Sequence, residues 1–168
     1  DSDKLIGSRQ EDVVKGGAGP DTIISNGGRD VMFGEAGNDT FQLQELGFAR
    51  IDGGTGTDTL RFTGEAQIFN LTNFRSDQIQ NIEHIDLSAL DSATLTLGED
   101  NLRGLFGGMN DLTGKEDSLV ISGKKDHHVD IAGDWSNTGT TSINGSSYSI
   151  YQKDTGVEVA IAQDVSFA

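Results

Sequence analysis

Apolar residues in the first third of the chain return at a fixed interval. Leu5, Val14, Ile23, Met32 and Phe41 stand nine apart, each two places after an Asp: Asp3, Asp12, Asp21, Asp30 and Asp39. After the ten residues "LQELGFARID" the phrase comes once more, as Asp58 and Leu60. Aligned from Gly7, the rows read "GSRQEDVVK", "GGAGPDTII", "SNGGRDVMF" and "GEAGNDTFQ", then "GGTGTDTLR" after the interruption. Each row divides into a six-residue turn ending in Asp and a three-residue strand with an apolar centre. That is half a coil of a β-solenoid. Two rows close one coil, so rows two apart stack at the strand spacing of about 4.8 Å. Glycine supplies the positive φ angles of the turns. The apolar column points inward and fills a thin core.

From residue 59 the nines stop but short β-rich runs continue. "DTLRF", "AQIFNL", "IEHIDL" and "ATLTL" read as strands separated by turn residues. "EDNLRGLFGGM" reads as a helix. Leu102, Leu105, Phe106 and Met109 fall on one face, Asp100 lies near its start, and Gly107–Gly108 end it. "EDSLVIS" repeats the Asp-x-apolar phrase at Asp117 and Leu119. Asn144-Gly145, and "KDTG" before "VEVAIA", are hairpin signals. They make the C-terminal third an antiparallel meander that covers the open end of the stack. The expected fold is all-β. A parallel β-roll or β-solenoid occupies residues 1–61. An irregular extension with a short helix and an antiparallel cap occupies 62–168, in one continuous domain.

Composition narrows the function. A chain of 168 residues is long enough for one domain with a real core. A net charge of −15 and a pI of about 4.3 argue against nucleic acid or anionic membrane as partners. With no Cys, the fold needs some other staple or a large core. No apolar run approaches the roughly 20 residues of a membrane span, so no membrane insertion is expected. "DSDKLIGSRQ" has no signal-peptide core. The chain begins in mid-pattern and reads as a fragment. Its histidines are His84, His127 and His128, without H-E-x-x-H or G-x-S-x-G, so no enzyme is expected. His127 and His128 are neighbours and would face opposite ways in a strand, which disfavours a shared metal. Trp135 reads as a cap residue.

The acids, in contrast, are ordered. Stacking puts Asp21 against Asp39, Asp39 against Asp58, Asp12 against Asp30, and Asp3 against Asp21. At about 5 Å, like charges repel by a few kcal/mol per pair at an effective dielectric of about 20. Such columns need a cation between levels. Ligation by carboxylates and turn carbonyls alone suits Ca²⁺ better than zinc.

The rows resemble the nonapeptide G-G-x-G-x-D-x-U-x of the RTX (repeats-in-toxin) family. Rows two and five match every defined position; the others depart at Ser8, Gln10, Ser25, Asn26 and Glu35. The resemblance implies several bound Ca²⁺ ions. Each is held by an Asp and the first and third carbonyls of one turn, with the second and fourth carbonyls and the Asp of the next turn on that edge. One ion would use Gly16, Ala18 and Asp21 with Glu35, Gly37 and Asp39. A second would use Gly34, Ala36 and Asp39 with Gly54, Gly56 and Asp58. A third, on the other edge, would use Gly7, Arg9 and Asp12 with Asn26, Gly28 and Asp30, although "GSRQED" lacks both inner glycines. The later phrases "IQNIEHIDLS", "LTLGEDNL", "SLVISG", "AGDW", "TSINGSSYSIY" and "AIAQDVSFA" are similar to the C-terminal end of giant RTX adhesins, ice-binding ones of marine bacteria among them. That likeness implies export by type I secretion machinery and an extracellular or cell-surface location. It also implies attachment to the rest of the adhesin, as a monomer that folds on Ca²⁺ outside the cell. Three other readings stay open: the RTX tail of a secreted protease or lipase, a solenoid that itself binds ice, and a C-terminal half that binds a sugar or peptide, to which no specific residue points. For ice binding, the outer turn columns offer only Thr55 and Thr57.

Overall fold

The computed structural model describes residues 1–65, 68–106 and 109–168. The first 62 residues contain β1 (Lys4–Ile6), β2 (Val13–Ala18), β3 (Thr22–Ile24), β4 (Val31–Ala36), β5 (Thr40–Leu43), β6 (Arg50–Thr55) and β7 (Thr59–Phe62). Odd strands form one parallel ladder and even strands another, so the chain passes between two sheets and returns. Leu5 lies beside Ile23, Ile23 beside Phe41, and Phe41 beside Leu60. On the other sheet Val14 lies beside Met32, and Met32 beside Ile51. The period-nine residues therefore pack as two inward columns. Ile23, Met32, Phe41, Ile51 and Leu60 are all buried.

One sequence expectation changes here. "LQELGFARID" is not an interruption but a half-coil of ten residues. Ile51 takes the apolar place, and Ala49 sits where the row's Asp would be, its N–H bonded to the Asp30 carbonyl at 2.8 Å. The extra residue lies in the turn, so the step from Thr40 to its neighbour Thr59 is nineteen residues rather than eighteen.

Parallel stacking continues past the repeats. The chain adds β8 (Ile68–Asn70), β9 (Ile79–Gln80), β10 (His84–Asp86), β11 (Ala93–Leu97), helix α1 (Glu99–Leu105), β12 (Met109–Asn110) and β13 (Lys115–Glu116). Then follow β14 (Ser118–Ser122), β15 (His127–Ile131), β16 (Ser136–Ile143), β17 (Ser146–Gln152), β18 (Glu158–Ala162) and β19 (Ser166–Phe167). β9 extends the even ladder; β10, β14 and β18 extend the odd one, all parallel. A third sheet, ordered β19-β15-β11-β8, is parallel throughout. The antiparallel cap is thus narrower than its hairpin signals suggested. The meander β16–β17–β18 finishes the edge of the long sheet, and β12–β13 is a small hairpin. Asn144 (φ 50°) and Gly145 (φ 83°) make the turn between β16 and β17.

The helix is where the apolar spacing put it, but shorter. The Asn101 side chain accepts a hydrogen bond from the Gly98 N–H at 2.8 Å, and Leu102 and Leu105 are buried. Met109 lies on a strand and is half exposed. The expected helix stop at Gly107–Gly108 lies outside the described residues, as do Ala66 and Gln67 of "AQIFNL". Between the coils and the third sheet the core thickens. Phe62 and Phe69 are fully buried and stack at 4.1 Å between ring centroids. Trp135 packs at the core's margin, its indole N–H donating to the Ala132 carbonyl.

That stacked pair should be the costliest place to cut. In saturating Ca²⁺, Phe69→Ala is expected to lower unfolding free energy by about 3–5 kcal/mol, read from the urea midpoint. Ile68→Ala, one position away but 73% exposed, should change it by about 0.5 kcal/mol or less.

Candidate metal centre

Every repeat Asp sits at the last turn position, immediately before a strand. There its own N–H faces one neighbouring level and its carboxylate faces the other. On the edge that leads into β3, β5 and β7, the Asp3 N–H donates to Asp21 Oδ1, the Asp21 N–H to Asp39 Oδ1, and the Asp39 N–H to Asp58 Oδ1, each at 2.7 Å. One oxygen per carboxylate is thereby committed. The other, Oδ2 of Asp21, Asp39 and Asp58, is buried with no hydrogen-bond partner among the described residues. An ionised carboxylate in that state is costly unless a donor or a cation meets it.

The glycines keep space open beside those oxygens. A Cβ on Gly16 would lie 2.7 Å from Asp21 Oδ2 and 2.8 Å from the Gly34 carbonyl oxygen. A Cβ on Gly34 would collide with Asp39 Oδ2 and the Gly53 carbonyl. Each gap is lined by oxygen. The second and fourth turn positions are left-handed: Gly17, Glu35 and Gly54 at φ 106°, 74° and 100°, and Gly19, Gly37 and Gly56 at 110°, 136° and 131°. At Gly37 and Gly56 a side chain would also run into the backbone of the neighbouring turn. Ala18 lies beside Ala36, and Ala36 beside Thr55. The Gly19 N–H donates to the Ala36 carbonyl, which leaves that oxygen one lone pair. Glu35 turns its carboxylate out to Lys15, 3.2 Å away, so only its backbone carbonyl is left for an ion.

The other edge is different. The Asp12 N–H donates to Asp30 Oδ1 at 3.0 Å, the same ladder bond. Yet Asp30 Oδ2 accepts from the Ser25 hydroxyl at 2.7 Å. Asp12 Oδ2 accepts from the Ser8 N–H and hydroxyl at 2.6 and 2.8 Å. The Gly7 carbonyl accepts from the Asn26 amide at 3.1 Å. Gly28 is left-handed, but Arg9 and its neighbours Ser8 and Gln10 are not. Gly7, Asp12, Asn26, Gly28 and Asp30 of the expected site lie together, with both carboxylates already served by serine donors. Ser8 and Ser25 stand out in the sequence only as missing glycines; their hydroxyls are the signal that was available.

Glu83 was not found from the sequence. It sits one level beyond Asp58, and its Oε2 accepts the Asp58 N–H at 2.8 Å. Burial, with the charges of Glu83, Asp39 and Asp52, pushes the Asp58 carboxyl up to about 7. Burial, with Asp111 nearby, pushes Glu83 up to about 7 as well. Asp39 is raised by burial and by the charge of Asp21. Asp12, exposed and held by Ser8, is lowered.

Among the described residues, no three acidic, histidine or cysteine side chains converge on one point. Each gap between levels instead offers two carboxylates and turn carbonyls. This is a hard, all-oxygen donor set that fits Ca²⁺. The histidines are engaged elsewhere. His127 Nδ1 accepts from the Lys124 N–H, His128 bonds Ser166, and His84 lies between Thr59 and Ser122. No helix among the described residues is long and apolar enough to cross a membrane.

Comparison with known families agrees with this geometry. A family model, the RTX calcium-binding nonapeptide repeat, matches residues 3–41 with four copies. Those residues are RTX calcium-binding repeats, and they supply Asp21 and Asp39. No curated protein and no solved structure matches the chain.

The raised carboxyls set a pH dependence for the metal-free chain. Asp58 and Glu83 keep their protons up to about pH 7 when folded, but only to about pH 4 when unfolded. Between those limits the folded state binds more protons, so its stability falls as pH rises. In chelator the far-UV β signal should therefore be stronger at pH 5 than at pH 8. In millimolar Ca²⁺ that difference should vanish or reverse, because the ionised carboxylates take the cation. A β signal in chelator no stronger at pH 5 than at pH 8 would contradict the assignment of strain to these two groups.

Proposed function

We propose that this chain is a Ca²⁺-binding module from the C-terminal end of a type I-secreted bacterial RTX adhesin. In this reading it is unfolded where Ca²⁺ is scarce and folds outside the cell. The observation that carries it is the column of three buried Oδ2 atoms, at Asp21, Asp39 and Asp58, that have no hydrogen-bond partner among the described residues. One ion is held by Asp21 and Asp39 with carbonyls of Gly16, Ala18, Glu35 and Gly37. Another is held by Asp39 and Asp58 with carbonyls of Gly34, Ala36, Gly54 and Gly56. The ion neutralises the stacked carboxylates and supplies the partner their second oxygens lack. The alternating parallel ladders support reading the repeats as a β-roll, or β-solenoid.

Energetics make the switch plausible on physical grounds. A ligand that binds only the folded state adds about 2.7 kcal/mol per site at a hundred times its Kd. Two sites amount to a large fraction of a domain's usual stability of about 5–15 kcal/mol. The chain has no Cys, so export as an unfolded thread meets no disulfide. Folding on external Ca²⁺ then opposes return through the export channel. The adhesin assignment rests on the terminal phrases such as "SLVISG" and "AIAQDVSFA". The module has no catalytic role in this proposal, acts as a monomer, and serves the rest of its chain.

Ca²⁺ titration followed by far-UV circular dichroism and melting tests the first half of the proposal. The wild type should gain β signal and melting temperature. Asp39→Ala, which touches both ions, should lose most of that response, while Asp154→Ala on an exposed turn should keep it. A spectrum and melting temperature unchanged by chelator would rule out Ca²⁺-driven folding. For the second half, a passenger fused ahead of this chain should accumulate outside cells carrying a type I exporter in millimolar Ca²⁺, and much less in chelator.

A further inference from the structure

We propose that Glu83 completes a further Ca²⁺ site, shared with Asp58, beyond the last nonapeptide. Its ligands are the carboxylates of Asp58 and Glu83 and the carbonyls of Gly53, Thr55 and Asn81. The inference rests on the Ca²⁺ reading above but concerns a residue outside the repeat pattern.

Three independent observations lead to it. First, the Asp58 N–H donates to Glu83 Oε2 at 2.8 Å, the same bond that links each Asp of the column to the next. Second, Asp58 is 0% exposed, and its Oδ2 has no hydrogen-bond partner among the described residues. Third, that atom faces a gap of the same construction as those below it. A Cβ on Gly53 would lie 2.5 Å from Asp58 Oδ2 and collide with the Asn81 carbonyl oxygen. The corresponding pair at Gly16 is Asp21 Oδ2 and the Gly34 carbonyl.

The ladder registers explain why an Asp-x-apolar search misses the site. Asp52 pairs with Gln80, which sets Gly53 beside Asn81. Thr59 pairs with His84, which sets Asp58 beside Glu83. From Gly53 to Asp58 is five steps of chain; from Asn81 to Glu83 is two. The upper turn cuts the corner, and Asn81 takes a left-handed φ of 53° to do so. Glu, one methylene longer than Asp, spans the difference and reaches the Asp58 N–H. No Lys or Arg among the described residues forms an ion pair with Asp58 or Glu83. The segment at 110–111 closes over this level. The buried Asn110 amide donates to the Glu83 carbonyl, and the Asp111 N–H to the Thr57 hydroxyl. Asp111 brings further negative charge toward Glu83. Two buried carboxylates that share an acidic surrounding, with an open oxygen between glycine and carbonyl, call for a cation.

The consequence is mechanical. Glu83 immediately precedes β10, which carries β14 and then β18. An ion at this level ties the non-repeat half of the chain to the repeats.

Ca²⁺ stoichiometry by native mass spectrometry, with calorimetry for affinity, tests the site. Glu83→Gln keeps an oxygen acceptor for the Asp58 N–H and removes the charge. It should bind one ion fewer than the wild type and retain the others. Equal stoichiometry and affinity would overturn the proposal and leave Glu83 as a ladder acceptor only. A wild type that binds no Ca²⁺ would instead sink the broader reading, and this one with it. Should the variant not fold, wild-type crystals grown with Tb³⁺ decide the matter. An anomalous peak is expected within about 2.3–2.6 Å of Asp58 Oδ2 and the Glu83 carboxylate. Peaks between Asp21 and Asp39 with none at Glu83 would reject it.

Discussion

The repeat region depends on one hydrogen bond, made again at each level: the N–H of an Asp donating to Oδ1 of the Asp one coil further on. It commits Oδ1 of each carboxylate and leaves Oδ2 of Asp21, Asp39 and Asp58 buried with no hydrogen-bond partner among the described residues. Much of the sequence pattern follows from that. The first turn position must be glycine where a Cβ would occupy the gap, as at Gly16 and Gly34. The second and fourth must tolerate a left-handed backbone, which Glu35 does at a cost that glycine avoids. Each level buries few apolar side chains, so the hydrophobic return per residue is small. In the proposed reading the cation is therefore part of the folding balance and not an addition to a finished fold.

The two edges of the same coils show the alternatives open to such a carboxylate. On one edge Asp12 and Asp30 receive serine donors, and the demand for a cation is met from within the chain. A net hydrogen bond of this kind to a charged group contributes about 1.5–3 kcal/mol. On the other edge the row-head place of Ser25 is taken by Gly16, Gly34 and Gly53, and the second place, that of Ser8, by Gly17, Glu35 and Gly54, none of which has a hydroxyl to give to Oδ2. A Ser at the first or second place of a row thus separates a self-satisfied turn from one with an open carboxylate oxygen. Two edges built from one repeat consequently differ in what Ca²⁺ does for them.

Period and register were legible because they need only one residue type per column. Asp at every ninth place from Asp3 to Asp39, with the phrase repeated at Asp58, made the stacking of Asp21, Asp39 and Asp58 readable, and the apolar column did the same for the two inward rows. Less legible was any coil that kept the geometry and lost the marker. "LQELGFARID" forms a half-coil because Ile51 still fills the core, though Ala49 stands where Asp would. Glu83 joins the column through a shortened turn and a longer side chain, a three-dimensional coincidence of two registers that no spacing rule contains. The C-terminal hairpin signals were real, but a hairpin only says that two strands are antiparallel to each other. That β14 and β18 run parallel to the coils below depends on long-range pairing, such as the Val120 N–H to the Glu83 carbonyl.

Where the glycines stop, the manner of stabilisation changes. Beyond Glu83 the buried acids have basic partners: Asp86 bonds Arg61 at 2.8 Å, and Glu158 bonds Lys115 at 2.6 Å and the Gln152 amide at 2.8 Å. Within the column from Asp21 to Glu83 no such partner exists among the described residues. The core thickens across the same boundary, with Phe62 against Phe69 and a third sheet lending Leu95, Leu97, Val129 and Ile131. One ladder therefore runs through two regimes, the first short of apolar area and paired charge, the second supplied with both. The proposed Ca²⁺ sensitivity belongs to the first. Because the odd ladder is continuous from β1 to β18, ordering of the coils also presents β7 as the edge on which β10 pairs. On the proposed reading the cation acts locally on a few carboxylates, and its effect reaches the rest of the chain through the backbone hydrogen bonds of that ladder.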